Sequence, residues 1–231
     1  MIDKKNKDIL RNERKIISLE PISNIEKLFN FMGAKEVYDS RLINSIYFDT
    51  LFHKNFFEAE DGVAWRNKLR VRWYGKVFNT TIEPILENKI KKNSHNFKIL
   101  KKLDNFRINN NFDLIKFNQY INKEKKKKDE INFYLNNLYP NLLVSYNRKY
   151  LIYKNVRITL DSDLKFINLN NKSFFSKNIF ISLNKKTIIE IKFTDSQQFD
   201  ASQISNMLNH RINKFSKYQV GISETFYSYM N

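Results

Sequence analysis

Along Asn67–Gly75, NKLRVRWYG, charge and apolarity alternate residue by residue: Lys68, Arg70 and Arg72 share one parity, and Leu69, Val71 and Trp73 share the other. A period of two in a run rich in valine, tryptophan and tyrosine, stopped by a glycine, predicts a β-strand with one apolar and one cationic face. The same alternation recurs at Arg11, Glu13 and Lys15, at Glu87, Lys89 and Lys91, at Arg157, Thr159 and Asp161, and at Glu190 and Lys192. The intervening positions are largely apolar, as with Ile158 and Leu160 or Ile189, Ile191 and Phe193. INSIYFDT (Ile43–Thr50) and LLVSYNRKYLIY (Leu142–Tyr153) read as further strands, and Pro84 marks an edge, a bulge or a strand start.

Helical spacing marks three stretches, and LFHKNFFEAEDG (Leu51–Gly62) reads as a short irregular or helical connection into Asn67–Gly75. Ser23 with Glu26 forms a capping-box pattern ahead of Ile25, Leu28, Phe29 and Met32, and Gly33 closes that helix. A second helix is predicted between Asp113 and Leu138, ending at Pro140, and a third from Ser202 to about Lys214 with Ile204, Met207, Leu208 and Arg211 on one side. With no internal repeat and no linker composition, the pattern predicts a single α+β domain over residues 1–231, dominated by antiparallel strands.

Five strands with the same division of faces constrain the architecture further. If helices cover the apolar faces, the charged faces point either to solvent or into the lumen of a closed sheet. A solvated face is the simpler reading of any one strand. A lumen lined by like charges is costly unless water and a counter-anion fill it, so that alternative carries a polyanionic ligand with it.

Composition bears on this choice. Lys and Arg number 41 against 24 acidic residues, a net charge of +17, which biases partners toward polyanions. The charged faces hold few aromatic residues, which argues against a nucleic-acid-binding sheet, where bases stack between cations. There is no cysteine, and neither a GxxxxGK nor a GxGxxG motif. His53, His95 and His210 lack ligand spacing and carry no assigned role. The first ten residues have no signal-type apolar core and no run of about 18 apolar residues occurs, so no transmembrane segment and a cytoplasmic location are expected. The run KEKKKK, Lys123–Lys128, is read as a solvated helix face, with peripheral contact to a polyanion or membrane as the alternative.

Eight motifs in order extend the picture: RNERK (Arg11–Lys15), SIYFDT (Ser45–Thr50), KLRVRWYG (Lys68–Gly75), LENKIKK (Leu86–Lys92), SYNRKY (Ser145–Tyr150), VRITLD (Val156–Asp161), IIEIKF (Ile188–Phe193) and NKFSKYQVG (Asn213–Gly221). Together they resemble the vacuolar transporter chaperone catalytic domain, a polyphosphate polymerase of the triphosphate tunnel metalloenzyme superfamily. The resemblance implies an eight-stranded antiparallel β-barrel with a basic lumen and flanking helices.

It also implies roles. Lys15, Arg70, Arg72, Lys89, Arg148 and Arg157 match phosphate-binding positions, as do Lys214 and Lys217 of the KFSK stretch, with Lys98 a short loop beyond LENKIKK. Tyr146 and Ser216 would donate hydroxyls to phosphate oxygens, Lys192 would join the cations, and Glu190 matches the metal-binding carboxylate for Mn²⁺ or Mg²⁺. Glu13, Glu87 and Asp161 are read either as participants or as salt-bridge partners that orient the cations.

The implied reaction transfers the γ-phosphoryl group of ATP or another nucleoside triphosphate onto inorganic polyphosphate or a phosphate primer such as pyrophosphate. Hydrolytic tunnel enzymes usually open with two alternating glutamates before the lysine, and Arg11 in place of the first favours the polymerase branch. A triphosphate hydrolase and a non-catalytic polyanion or nucleic-acid binder are the two rival readings.

Overall fold

The structure, a computed structural model, describes residues 12–92, 95–126, 137–174, 180–183 and 186–227. In chain order the elements are β1 (Asn12–Ser18), α1 (Ile22–Phe31), β2 (Lys35–Asp49), α2 (Lys54–Glu60), β3 (Trp65–Tyr74), β4 (Ile82–Lys92), β5 (His95–Lys102), α3 (Leu114–Lys126), β6 (Tyr139–Tyr153), β7 (Val156–Asn168), β8 (Ile181–Leu183), β9 (Thr187–Phe193), α4 (Gln198–Met207) and α5 (Lys217–Tyr227). A single 3₁₀ turn, Asp195–Gln197, leads into α4.

The fold class is α+β, as expected, with one large sheet in the order β1-β9-β7-β6-β2-β3-β4-β5 and β8 paired to β7. The ladders β1·β9, β7·β9, β2·β3, β3·β4 and β4·β5 are all antiparallel. Among the described residues the hydrogen-bonded path does not close: β1 and β5 each pair on one side only. The expected eight-stranded barrel is therefore present as a sheet of the right strands with an open path.

Contacts group the chain into two compact units, one within Met1–Arg41, Asn147–Asp163 and Leu183–Phe215, the other within Leu42–Tyr146, Leu164–Ser182 and Ser216–Asn231. In the first, Ile16, Val156, Ile158, Leu160, Ile189 and Ile191 bury against Ile25 and Phe29 of α1 and Ala201 and Ile204 of α4. In the second, Ile46, Phe48, Leu69, Val71, Trp73 and Leu86 bury against Phe117 and Ile121 of α3. The apolar parity of each strand is thus the helix-covered face, and hydrophobic burial fixes the register, since a one-residue slip would turn every cation into the core.

Helix α5 departs from this arrangement. Tyr218 stacks on Tyr47 at 5.3 Å between ring centroids, and Lys217 lies 4.6 Å from the ring centre of Tyr146, so α5 covers the polar face of its unit. Its approach is close because residue 221 is glycine: a methyl there would come within 2.6 Å of Leu142 Cδ2 and Phe166 Cδ1.

Several local expectations are corrected. Pro21, not Ser23, occupies the N-cap of α1, with no side-chain cap hydrogen bond; the fixed φ of proline starts the helix two residues before the capping-box pattern. Gly33 does close it, at φ +84°. Pro140 lies inside β6 and not at a helix end. Lys98, beyond LENKIKK, lies on strand β5. The third helix stops at Met207, leaving Lys214 beyond it, and Met207 is exposed. Pro84 sits where the β3·β4 register shifts, between the pairs Arg72↔Ile85 and Tyr74↔Ile82, and Glu83 before it takes φ +47°, so the bulge reading holds. Arg11 and Lys127–Lys128 lie outside the described residues.

Candidate functional site

Residues opposite one another in a ladder share a face, so the registers show which charges meet. In the unit holding β3, β4 and β5, Lys68 stands opposite Lys89, and Lys89 opposite Lys98, placing three lysines abreast. Neighbouring Arg70 stands between Tyr47 and Glu87. Arg70 donates through Nη2 and Nε to Glu87 Oε2 at 2.8 and 3.2 Å, and through Nη1 to the Tyr47 hydroxyl at 2.9 Å. Lys98 lies 3.7 Å from the other Glu87 oxygen. Arg72 is answered by hydroxyls, Ser45 Oγ at 3.5 Å and Tyr146 OH at 3.4 Å. Lys68 donates to Ser216 Oγ at 3.0 Å, and Ser216 immediately precedes α5, whose first residue, Lys217, covers Tyr146.

The electrostatics follow from this crowding. Burial alone would push the Glu87 carboxyl up, but Arg70 and Arg72 overcome it and hold the group at about 2. Burial would likewise raise the Tyr47 phenol, and Arg70, Arg72 and Lys217 together bring it below its ordinary value. Tyr218 moves the opposite way, raised by burial and by the Asp49 carboxylate that accepts its hydrogen bond. Asp49 also accepts from the backbone amides of Asn55 and Phe56 in the first turn of α2, so it is a fully engaged anchor.

The second unit gathers the other predicted residues. Register sets Glu13 opposite Lys192 and Lys192 opposite Arg157, and in the adjacent row Lys15 opposite Glu190 and Glu190 opposite Thr159. Glu190 is nearly buried, and its oxygens meet Lys192 Nζ at 2.9 Å and Arg148 Nη2 at 3.3 Å. Burial would raise its carboxyl, but Lys192, Arg148 and Lys15 hold it far below the usual carboxylate range. Arg148 is also clamped bidentately by the fully buried Asp161, at 2.6 and 2.7 Å. Lys15 pairs with Glu13 at 2.8 Å and donates to the Phe215 carbonyl at 3.0 Å.

The predicted residues therefore fall into two sets. Arg70, Arg72, Lys89, Lys98, Tyr146, Ser216 and Lys217 belong to one unit, and Lys15, Arg148, Arg157, Glu190, Lys192 and Lys214 to the other. Arg157 and Lys214 are both exposed. Glu13, Glu87 and Asp161 are each paired to a cation. Tyr47, Ser45 and Lys68 were not assigned to the site from sequence. Their signal lay in the alternation of Ser45, Tyr47 and Asp49 within SIYFDT and in the shared parity of Lys68 with Arg70, but it needed the ladder register to be read.

Among the described residues no group of three or more His, Cys, Asp or Glu side chains could hold a metal ion. The donor set therefore does not fit an all-protein cage. A hard divalent cation such as Mg²⁺ commonly takes one carboxylate ligand and draws the rest from phosphate oxygens and water.

The sequence pattern of the VTC domain matches residues 7–226, nearly the whole chain. The chain belongs to the VTC domain family. Among solved structures, its fold is similar to a Bacillus halodurans protein whose name proposes an adenylate cyclase, at 13% identity and a TM-score of 0.53, covering 90% of this chain and 94% of that one. A conserved hypothetical protein from Pyrococcus furiosus is similar at 10% identity and a TM-score of 0.50, covering 90% and 99%. No curated protein matches by sequence. Membership of the VTC family and the likeness to these structures agree with the α+β antiparallel architecture. Among the described residues no helix is long and apolar enough to cross a membrane.

Proposed function

We propose that this VTC domain is a polyphosphate polymerase that moves the γ-phosphoryl group of ATP, or of another nucleoside triphosphate, onto the end of an inorganic polyphosphate chain. The observation that carries the reading is the row Lys68, Lys89 and Lys98, three lysines at opposite positions across β3, β4 and β5, beside the Arg70–Glu87 pair that Lys98 joins. Like charges directly opposite destabilise a sheet, and a bound polyanion reverses the sign of that term. Arg72, beside the row and answered by hydroxyls, adds a planar fork suited to two phosphate oxygens.

In this reading the attacking atom is a terminal phosphate oxygen, already anionic, so no general base is required. Rate enhancement comes from alignment and from cations placed where charge develops on the transferring group. Arg70, Arg72 and Arg148 grip phosphate oxygens, with Glu87 and Asp161 fixing the orientation of Arg70 and Arg148. Lys15, Lys89, Lys98, Lys192 and Lys217 act as point charges, and Tyr146 and Ser216 supply hydroxyls. Arg157 and Lys214 enter from the motif match alone. A divalent ion, Mn²⁺ or Mg²⁺, would be held by Glu190 and would supply charge neutralisation at the triphosphate. A cytoplasmic location, where nucleoside triphosphates are abundant, forms part of the proposal.

Incubation of the pure protein with ATP and Mn²⁺, followed by separation of ADP, orthophosphate and polyphosphate, tests it. ADP in step with lengthening polyphosphate is the expected result. Orthophosphate as the main product identifies a hydrolase instead, and absence of ADP refutes catalysis.

A further inference from the structure

Tyr38, on β2, is 58% exposed although it lies in a regular strand, and the whole segment Lys35–Arg41 is open to solvent. Its ring meets that of Tyr150 edge to face, with centroids 5.7 Å apart. The guanidinium of Arg41 lies over both rings, at 5.6 Å from Tyr38 and 5.9 Å from Tyr150. An open cavity of about 520 Å³ runs along this strand, lined by Glu36, Val37, Tyr38, Asp39 and Arg41. All of these residues belong to the same unit as Arg148 and Glu190.

Two facts relate this shelf to the phosphate-binding residues. Arg148 and Tyr150 are two positions apart on β6, so they project from the same face about 7 Å apart. Lys149, between them, reaches Glu26 of α1, which confirms that the even-numbered positions face away from that helix. The cavity also differs in charge from the cation rows: in a chain of net charge +17 it presents two carboxylates, Glu36 and Asp39, against one Arg41. Carboxylates repel phosphate but accept hydrogen bonds from sugar hydroxyls and exocyclic amino groups.

We infer that Tyr38, backed by Arg41 and Tyr150, is a stacking shelf for the nucleobase of the nucleoside triphosphate, with Glu36 and Asp39 facing its sugar and amino groups. This rests on the polymerase reading above, in which Arg148 holds phosphate. A nucleotide bound there directs its phosphates toward Arg148 and its base toward the tyrosines, because the two ends of the path carry opposite charge. The aromatic pair is held by Arg41 before any ligand arrives, so stacking costs little side-chain ordering.

The test compares two ligands that share the phosphates and differ in the nucleoside. Affinities for ATP and for inorganic tripolyphosphate are measured by calorimetry on the full chain at equal ionic strength and Mn²⁺, for the parent protein, Tyr38→Ala and Tyr38→Phe. Because Tyr38 is exposed, its truncation leaves the core intact. Tyr38→Ala is expected to weaken ATP about tenfold, within the range of base stacking, and to leave tripolyphosphate within twofold. Tyr38→Phe keeps the ring and should retain ATP affinity within threefold. Unchanged ATP affinity in Tyr38→Ala, an equal loss for both ligands, or a parent that binds tripolyphosphate but not ATP overturns the shelf and leaves the phosphate site standing. A parent that binds neither ligand overturns both readings.

Discussion

Arg70 and Arg72 stand two residues apart on the same face of β3, yet the first is answered by a carboxylate and the second by hydroxyls. Arg70 thus touches its counter-charge directly, whereas Arg72 is held by hydroxyls and acts on Glu87 through space. Truncation should separate the two. Arg70→Ala strands the buried Glu87 and is expected to lower stability by about 3 kcal/mol, read by chemical denaturation. Arg72→Ala should cost less than about 1 kcal/mol of stability but weaken tripolyphosphate by at least about tenfold, read by calorimetry. Equal stability losses in the two variants would contradict the division.

Glu87 also sets a pH dependence. A carboxyl that is harder to protonate in the folded state adds stability above its ordinary value and forfeits it as the pH falls through the folded one. For Glu87 the window runs from 4.5 down to about 2, and its span corresponds to about 3 kcal/mol. Denaturant titrations across this range should show the parent losing more stability than Glu87→Gln, which has nothing there to protonate. Parallel losses would place the acid sensitivity elsewhere.

Repulsion along Lys68, Lys89 and Lys98 should be visible in thermal melts. A ligand that binds only the folded chain adds about 2.7 kcal/mol at a hundredfold excess over Kd. Millimolar tripolyphosphate should therefore raise Tm by several degrees over sulfate at the same ionic strength, and Lys89→Ala, which removes the middle charge, should shrink that gain. A Tm that responds to ionic strength alone would show general screening and no site.

Glu190→Gln distinguishes a metal ligand from a salt-bridge partner. Arg148 keeps its two bonds to Asp161, so the variant should fold. If Glu190 only balances Lys192 and Arg148, removing its charge should leave turnover near normal and strengthen triphosphate binding. The metal role predicts tripolyphosphate affinity within about threefold of the parent and Mn²⁺-dependent ADP release lowered by about a hundredfold, roughly 2.7 kcal/mol.

Much of this was readable along the chain because the side-chain period of a strand is two and burial enforces it. The apolar parity of Leu69, Val71 and Trp73, and of Ile158, Leu160, Ile189 and Ile191, is the helix-covered face in the structure. What resisted reading depends on which strand lies beside which. Tyr47 becomes a partner of Arg70 only through the β2·β3 ladder, and the three lysines become a row only through β3·β4·β5. Helix α5 was missed for another reason. It carries Lys217, Tyr218 and Gly221 on the side that meets a polar sheet face, so it lacks the contrast between apolar and polar sides by which a surface helix is recognised.

Gly221 is one helical turn beyond Lys217, so both residues point toward the sheet. With no methyl at 221 the helix sinks until its backbone rests against Leu142 and Phe166, and that depth determines how far Lys217 and the preceding Ser216 hang over Tyr146 and Lys68. The glycine behaves as a spacer of zero thickness. Any larger residue would act as a shim, tilting or lifting the helix as a rigid rod and carrying Lys217 and Ser216 away from Tyr146 and Lys68. A position with no functional group of its own thereby sets where Lys217 and Ser216 stand, and its substitution would displace them by leverage with no charged residue replaced.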